Sequence, residues 1–405
     1  MRKHTINIFL LGFVFINLLE GCTSTNESQA SSCIPENKTT NYEPGLRRQE
    51  EYTVSHRKPM PSWWAPQLNE TQLNVEMSSA RDIVAQSGDT IWIATTPDNS
   101  GTDEPKNSII RYRTDTGEIK AHELLDENGF GRAVLDLFAT HDGNLWIIFI
   151  TNEYKHEYSI LARYDPQKDE FSVVADRDRL LSPPTNIEMT WDGSAQPVIS
   201  ETPDESLVVA LNGEIFLYYS ATNEAKRILG RDKGLDVKTI ATSKDGHIWF
   251  ITGNDFSIRE LDPVDGTIWN YGPPPGITSD DSADRLTSMS KAIEIDDAGR
   301  VWVSDYGWLE PSQKTRYMWH PIARSPIFIH IDDPEYKYLW IRPEALYQFS
   351  DGNMWYQSGI GIVQFNMQSG SWCWKATESG PLAEDMNGNI WLVAHGQIYK
   401  YALRP

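Results

Sequence analysis

The stretch 305–324, DYGWLEPSQKTRYMWHPIAR, has the densest group of side chains that could bind a ligand. Its aromatic rings offer flat stacking surfaces, and its arginines offer positive charge. Loops of this composition suit sugars, peptides or flat organic ligands, so we predict a binding site here. Packing of the rings onto the sheets of the protein itself is the alternative. The candidate ligand-binding residues of this stretch are Tyr306, Trp308, Arg316, Trp319 and His320.

Two further histidines, His156 and His395, are predicted to lie in links on the same face of the protein as His320. Three gathered imidazoles could bind a metal or serve in acid and base catalysis. The chain has no nucleophile elbow, no phosphate-binding loop and no HExxH zinc motif. These residues therefore leave open whether the protein is an enzyme.

A second candidate metal site is acidic and consists of Asp280, Asp281 and Asp284. Carboxylate oxygens are good ligands for Ca²⁺, but these three residues lack the regular spacing of a known calcium loop. The sequence therefore favours a solvated acidic loop, with a Ca²⁺ site as the alternative. We predict no cofactor, with Ca²⁺ or Mg²⁺ in a central channel as the open alternative.

A short pattern recurs along the chain: a tight Asp-Gly or Asn-Gly turn, an apolar strand with a central Trp, and then further strands. Asp-Gly and Asn-Gly pairs supply the positive φ angles of tight turns. Four short strands per unit, with most units about 40 to 55 residues apart, predict an all-β, seven-bladed β-propeller. Each Trp is predicted to fill the space between blades rather than to bind a ligand. The central residues of the seven units are Trp92, Trp146, Val208, Trp249, Trp302, Trp355 and Trp391.

The seventh unit lacks an outer strand after the strand-like run 398–403. A propeller must close, or two strand edges stay exposed. We therefore predict that part of the segment 47–74 supplies the missing strand. The run 51–55 is strand-like, and the prolines of the segment limit which part can pair.

The first segment of the chain is typical of a targeting signal. Two basic residues precede an apolar run over 6–19, which is shorter than the ~20 residues of a spanning helix. The run ends in LEGC, which resembles the bacterial lipobox, and this resemblance implies a lipid (palmitate) anchor on Cys22. A cleaved signal peptide with a chance cysteine is the alternative. The predicted domains are a signal peptide at 1–21, a flexible tether at 22–45 and the propeller at 46–405.

Two cysteines remain, Cys33 in the predicted tether and Cys373 near the C-terminal end. Outside the cytoplasm a disulfide between them is permitted, and it would fasten the tether to the folded body. Two unpaired or buried thiols are the alternative. The cysteines and histidines do not have the spacing of a zinc site.

The 405 residues carry a formal net charge of −21. Because nucleic acids bind to basic surfaces, we predict no nucleic-acid partner. The acidity suits cationic or neutral ligands, or it serves to keep an extracytoplasmic protein soluble.

The repeated phrase D-x-x-G-x-[IL]-W, followed by a strand ending in Asp-Pro, resembles two related propeller families. One is the two-component regulator propeller repeat of extracytoplasmic sensor regions, and the other is the virginiamycin B (streptogramin) lyase-type propeller. The resemblance covers most of 80–403 and implies a fold more specifically than an activity. The lyase resemblance implies a catalytic His at the start of an inner strand, with Mg²⁺ nearby. In this chain, the starts of the inner strands that match this position have no His. They read Arg81-Asp82-Ile83, Asp236-Val237-Lys238 and Met289-Ser290-Lys291.

In a propeller, the links from second to third strands and from blade to blade lie on one face. The long links of this chain, at 96–107, 151–158, 176–195, 272–284 and 305–325, are all predicted to fall there. Long links in a compact domain are more often functional than decorative, so we place the binding site on this face, around the channel mouth.

We predict a lipid-anchored module of the bacterial cell envelope that binds or senses a small molecule, glycan, peptide or envelope protein. The alternative is a metal-dependent lyase or lactone hydrolase.

Overall fold

The computed structural model describes the repeated part of the chain and two short N-terminal strands. The regular elements among these residues are β-strands, which form seven sheets of four strands, one of them extended by a fifth. Within this part of the chain, no helix is long and apolar enough to cross a membrane. The described residues are 33–34, 69–73, 80–86, 89–95, 108–123, 133–153, 156–175, 198–211, 213–230, 233–274, 292–303, 307–313, 316–321, 343–358, 361–368, 371–376 and 379–402.

Each sheet is one blade, and its strands follow in chain order from the inner to the outer edge, except that N-terminal strands occupy the outer edges of blades VI and VII. Blade I consists of β3 (Ala80–Gln86), β4 (Thr90–Thr95), β5 (Ser108–Arg113) and β6 (Ile119–Glu123). Blade II consists of β7 (Ala133–Ala139), β8 (Leu145–Glu153), β9 (His156–Asp165) and β10 (Glu170–Ala175). Blade III consists of β11 (Val198–Glu201), β12 (Leu207–Leu211), β13 (Glu214–Tyr219) and β14 (Glu224–Leu229).

The remaining blades repeat this order. Blade IV consists of β15 (Val237–Thr242), β16 (Ile248–Thr252), β17 (Ile258–Leu261) and β18 (Ile268–Gly272). Blade V consists of β19 (Ile293–Ile295), β20 (Val301–Val303), β21 (Gly307–Gln313) and β22 (Arg316–Pro321). Blade VI consists of β23 (Pro343–Gln348), β24 (Met354–Ser358), β25 (Gly361–Asn366) and β26 (Ser371–Ala376). Blade VII consists of β27 (Leu382–Glu384), β28 (Asn389–Ala394), β29 (Gln397–Ala402) and the N-terminal β2 (Asn69–Leu73).

The first strands of the blades line the centre of a closed ring. β3 packs on β7, β7 on β11, β11 on β15, β15 on β19, β19 on β23, and β27 on β3. The outer edge of blade VII is completed by β2, which pairs antiparallel with β29. The prediction that N-terminal residues close the ring is therefore confirmed, with Asn69–Leu73 as the closing strand. The strand-like run 51–55 lies outside the described residues.

A second N-terminal element lies within the predicted tether. β1 (Cys33–Ile34) pairs antiparallel with β26 and forms a fifth strand at the outer edge of blade VI. The part of the chain that we expected to be a flexible tether thus contributes one short strand to the folded body.

The tight turns between first and second strands repeat one hydrogen-bond pattern. In blade II the backbone N–H of Gly143 donates to the Thr140 carbonyl at 2.9 Å, and in blade IV Gly246 donates to Ser243 at 2.9 Å. The φ angles of Gly143 and Gly246 are 84° and 85°, a region that glycine adopts without strain. This backbone requirement explains why Asp-Gly pairs recur at this point of the repeat.

The central residues of the seven repeats are all buried, as predicted. Several tryptophans are also fixed by the acidic residue of the preceding turn. Trp302 donates its indole N–H to Asp296 Oδ2 at 2.8 Å, and Trp391 donates to Asp385 Oδ2 at 2.8 Å. The ring of Trp391 packs with Ile83 of the neighbouring blade I. Trp302 and Trp391 thus have their one polar atom satisfied while their rings are buried between blades.

Candidate functional site

All innermost strands begin on one face of the ring, which we call the mouth face. Because successive strands alternate in direction, the links from second to third strands and from blade to blade lie on the same face. For example, the link between Thr95 and Ser108 leaves β4 and enters β5 there. The opposite face, which we call the turn face, carries the tight turns such as 140–144 and 243–247.

Four innermost strands have a β-bulge close to the mouth face, where the register to the second strand skips one residue. The skipped residues, in blades I, II, IV and VI, are Arg81, Leu135, Lys238 and Glu344. A bulge re-aims a side chain, and bulges are over-represented beside active sites. In blades I and IV this position carries a cation.

Lys238 is almost fully enclosed at the start of β15. Its ammonium group lies 2.9 Å from Asp236 Oδ2, and the side chain of Lys238 is 5% exposed while that of Asp236 is 47% exposed. The Asp236 carbonyl accepts the backbone N–H of Gly253 at 2.7 Å. The link between the second and third strands of blade IV therefore closes against this ion pair.

Gly253→Ala is expected to displace Lys238 from Asp236. A Cβ at this position would lie 2.7 Å from Asp236 Oδ2 and closer still to Lys238 Cε. Overpacking of this kind lowers the free energy of unfolding by about 1–3 kcal/mol, which a urea titration measures. In a Lys238→Ala background the substitution should cost less, because the main clashing side chain is gone. An equal cost in both backgrounds would contradict this placement of Lys238.

Arg81 lies beside two structural carboxylates. Burial lowers the pKa of its guanidinium, and the negative charges of Asp82 and Asp136 oppose that effect. Asp82 Oδ2 accepts the backbone N–H of Leu137 at 2.9 Å, and Asp136 Oδ2 accepts that of Ile199 at 2.7 Å. Each acceptor and its donor belong to adjacent blades, so the two acids tie innermost strands together around the channel.

The interpretation of the stretch 305–324 as a loop is wrong for most of its length, because β21 and β22 form the outer half of blade V. The ring of Trp308 lies 4.6 Å from that of Trp302 and 6.4 Å from that of Phe365 in blade VI. Trp319 is half-buried and packs against the core shared by blades IV and V. These two tryptophans have the packing role that we gave as the alternative.

The three candidate histidines belong to different blades. His320 is on β22, the outermost strand of blade V, and His156 begins β9. His395 is the exposed tip of the turn between β28 and β29, with a φ of 51°. Among the described residues, no three His, Cys, Asp or Glu side chains are grouped so that they could hold a metal ion.

The other candidates give less structural information. Arg316 begins the outermost strand of blade V, opposite Gln313. Tyr306, the lipid-attachment candidate Cys22 and the acidic run 280–284 lie outside the described residues.

Neither Arg81 nor Lys238 is among the candidate site residues predicted from the sequence. The sequence shows a basic residue near the start of both inner strands, in ARDIVA and VKTIAT, but it does not show that this residue lies at a bulge.

Together these features define a seven-bladed β-propeller that is closed by an N-terminal strand and has cationic bulge residues at one channel mouth. No known protein family and no curated protein matches the chain by sequence.

The similarities are to solved structures. Virginiamycin B lyase from Staphylococcus aureus is 15% identical, with a TM-score of 0.55 over 84% of this chain and 100% of that one. YCF48 bound to D1 peptide is 11% identical, with a TM-score of 0.51 over 83% of this chain and 95% of that one. The extracellular domain of the BT4673 one-component system from B. thetaiotaomicron is 13% identical, with a TM-score of 0.34 over 78% of this chain and 45% of that one. These identities show the fold alone, and at that level the match to virginiamycin B lyase confirms the predicted propeller fold.

Proposed function

We propose that this chain is an extracytoplasmic binding or sensing module that takes its ligand at the mouth face. The observation that carries the proposal is the position of Arg81 and Lys238 at bulges of the innermost strands. A blade does not need a charge there, since the equivalent bulge of blade II carries the buried Leu135. Burying a cation costs free energy, and strongly desolvated charges in a cleft are candidates for functional groups.

The two cations at the mouth face favour ligands whose oxygen atoms accept hydrogen bonds and that do not carry a long run of negative charge. Arginine and lysine bind carboxylates and other oxygens through charge-assisted hydrogen bonds. The net charge of −21 opposes polyanions such as nucleic acids. We therefore place peptides and glycans first among the ligands, followed by other small polar molecules and by an envelope protein that presents such a segment.

The proposed location follows from the first segment of the chain. The basic start, the apolar run over 6–19 and the LEGC sequence support export and a lipid anchor on Cys22. The propeller would then be displayed on the bacterial cell envelope, with the membrane as its partner through the lipid.

A thermal-shift screen tests the binding function. The chain from Thr23 onward, which keeps both N-terminal strands, is mixed with peptides, glycans, Mg²⁺ or Ca²⁺. A peptide or glycan that binds the folded state is expected to raise the melting temperature. Lys238→Ala or Arg81→Ala should then weaken binding about 10- to 100-fold, which corresponds to the loss of one charge-assisted hydrogen bond.

Lys244→Ala is the matched control. Lys244 belongs to the same blade as Lys238 and pairs with Asp297 at 2.8 Å, but its pair is exposed on the turn face. Its removal should leave the affinity unchanged. A ligand that binds equally well to the Lys238 and Arg81 variants would contradict the proposed site. Turnover of a lactone-containing substrate that requires Mg²⁺ would instead support the lyase alternative.

A further inference from the structure

The two cysteines outside the proposed lipid-attachment site stand directly opposite each other. In the antiparallel pairing of β1 with β26, Cys33 is the partner of Cys373 and Ile34 is the partner of Trp372. The two cysteines are far apart in the sequence, and the fold alone brings them to one register position.

This register meets the main geometric requirement of a disulfide. Directly opposite residues of an antiparallel pair have Cα atoms about 4.5 to 5.5 Å apart. Disulfide-bonded cysteines have Cα atoms about 4.4 to 6.8 Å apart. The Cα separation expected from this register is therefore within the disulfide range.

The short length of β1 also favours a disulfide between the two cysteines. It is a two-residue strand at the outer edge of blade VI. Two residues form few ladder hydrogen bonds, and each of these competes with hydrogen bonds to water. A covalent bond would keep so short a strand paired, and it would also cover the edge that β26 otherwise exposes.

We propose that Cys33 and Cys373 form a disulfide that fastens the N-terminal segment to blade VI. The oxidant is an external disulfide, either that of a thiol–disulfide oxidoreductase or oxidised glutathione. The thiolate of one cysteine attacks a sulfur of that disulfide and releases a first thiol, which leaves a mixed disulfide. The thiolate of the second cysteine attacks the mixed disulfide, forms the Cys33–Cys373 bond and releases a second thiol. Two protein thiols are oxidised, one external disulfide is reduced, and the two thiol protons pass to the leaving groups.

Differential alkylation of the full chain, isolated from an oxidising compartment, tests this bond. The protein is denatured without reductant and treated with iodoacetamide, and then it is reduced and treated with N-ethylmaleimide. Cys33 and Cys373 are expected to carry only the second label, and a digest without reductant should contain the two peptides joined. Cys33→Ser should make Cys373 accessible to the first label, and Cys373→Ser should do the same for Cys33.

The stability of the variants gives a second readout. Each single variant should melt roughly 2–8 °C below the parent chain, and the double variant should melt no lower than either one, because all three lack the same bond. The control is Trp372→Cys combined with Cys373→Ser, which moves the thiol by one residue along β26. Such a shift places it on the other face of the strand, so the bond should not form.

Three results would overturn the proposal. The first is labelling of both cysteines by iodoacetamide in the parent chain. The second is a bond to another cysteine, either Cys22 or Cys33 of a second copy. The third is equally ready bond formation in the shifted control.

Discussion

Replacing Asn69–Leu73 by a Gly/Ser segment of equal length is expected to lower the free energy of unfolding by about 3–5 kcal/mol. The closing strand pairs with β29 along its whole length, from Asn69 opposite Ala402 to Leu73 opposite Ile398. Glycine and serine keep the backbone amides but disfavour the extended strand, so the pairing with β29 is expected to be lost at about 1 kcal/mol for each backbone hydrogen bond. Denaturant titration followed by tryptophan fluorescence measures the change.

The control for this variant is the same replacement at 23–27, in the predicted tether. It should leave stability unchanged, because those residues precede both N-terminal strands. The variant at Asn69–Leu73 should also self-associate more readily, since loss of β2 exposes the edge of β29. A variant as stable and as monomeric as the parent chain would show that this strand does not close the ring.

Trp391→Ala is expected to cost about 3–5 kcal/mol, the range for truncating a fully buried Trp. Its ring lies 5.8 Å from that of Tyr112 in blade I, and the ammonium of Lys400 lies 5.2 Å from its ring centroid. The substitution leaves a cavity where the last blade meets the first, and it also leaves Asp385 Oδ2 without the indole N–H. The melting temperature and a urea titration measure the loss.

Trp269→Ala is the matched control for this prediction. Trp269 is half-buried on the outermost strand of blade IV, where its ring stacks on that of His247 at 5.8 Å. Its truncation should cost less, because much of its surface is already in contact with water. An equal loss for both variants would contradict the role of Trp391 as a seal between blades.

Local chemistry made the repeat predictable. Gly143 and Gly246 need a positive φ at tight turns, and the buried Trp of the second strand follows each turn at nearly fixed spacing. Ring closure was predictable for a different reason, since an unpaired edge on blade VII would be unfavourable. The segment was identified, but the closing strand Asn69–Leu73 has a mixed pattern that does not stand out within it.

Blade V shows where this reasoning failed. The sequence of β21, GWLEPSQ, contains a proline and few β-formers, so its local propensity favours a loop. In the structure Pro311 lies beside a bulge in the pairing with β22, where the missing N–H of proline is tolerated. Pairing with neighbouring strands decided the conformation, and local propensity did not.

The sequence predicted the face of the ring that carries the candidate site, but the candidate residues that it named do not include Arg81 or Lys238. The alternation of strand direction fixes which links share a face, so the mouth face could be derived from the order of the strands. The bulges that present Arg81 and Lys238 depend on the pairing register of each inner strand, which no local sequence pattern specifies. The residues on which the proposed function rests became visible only with that register.

Hydrogen exchange with and without a ligand from the thermal-shift screen tests the central claim most directly, which is that the ligand binds at the mouth of the ring. Binding is expected to protect the amides at the starts of β3 and β15, around Arg81 and Lys238. The turns 140–144 and 243–247 on the opposite face should exchange at unchanged rates. Protection confined to those turns, or to the outer strands β6 and β18, would contradict the account.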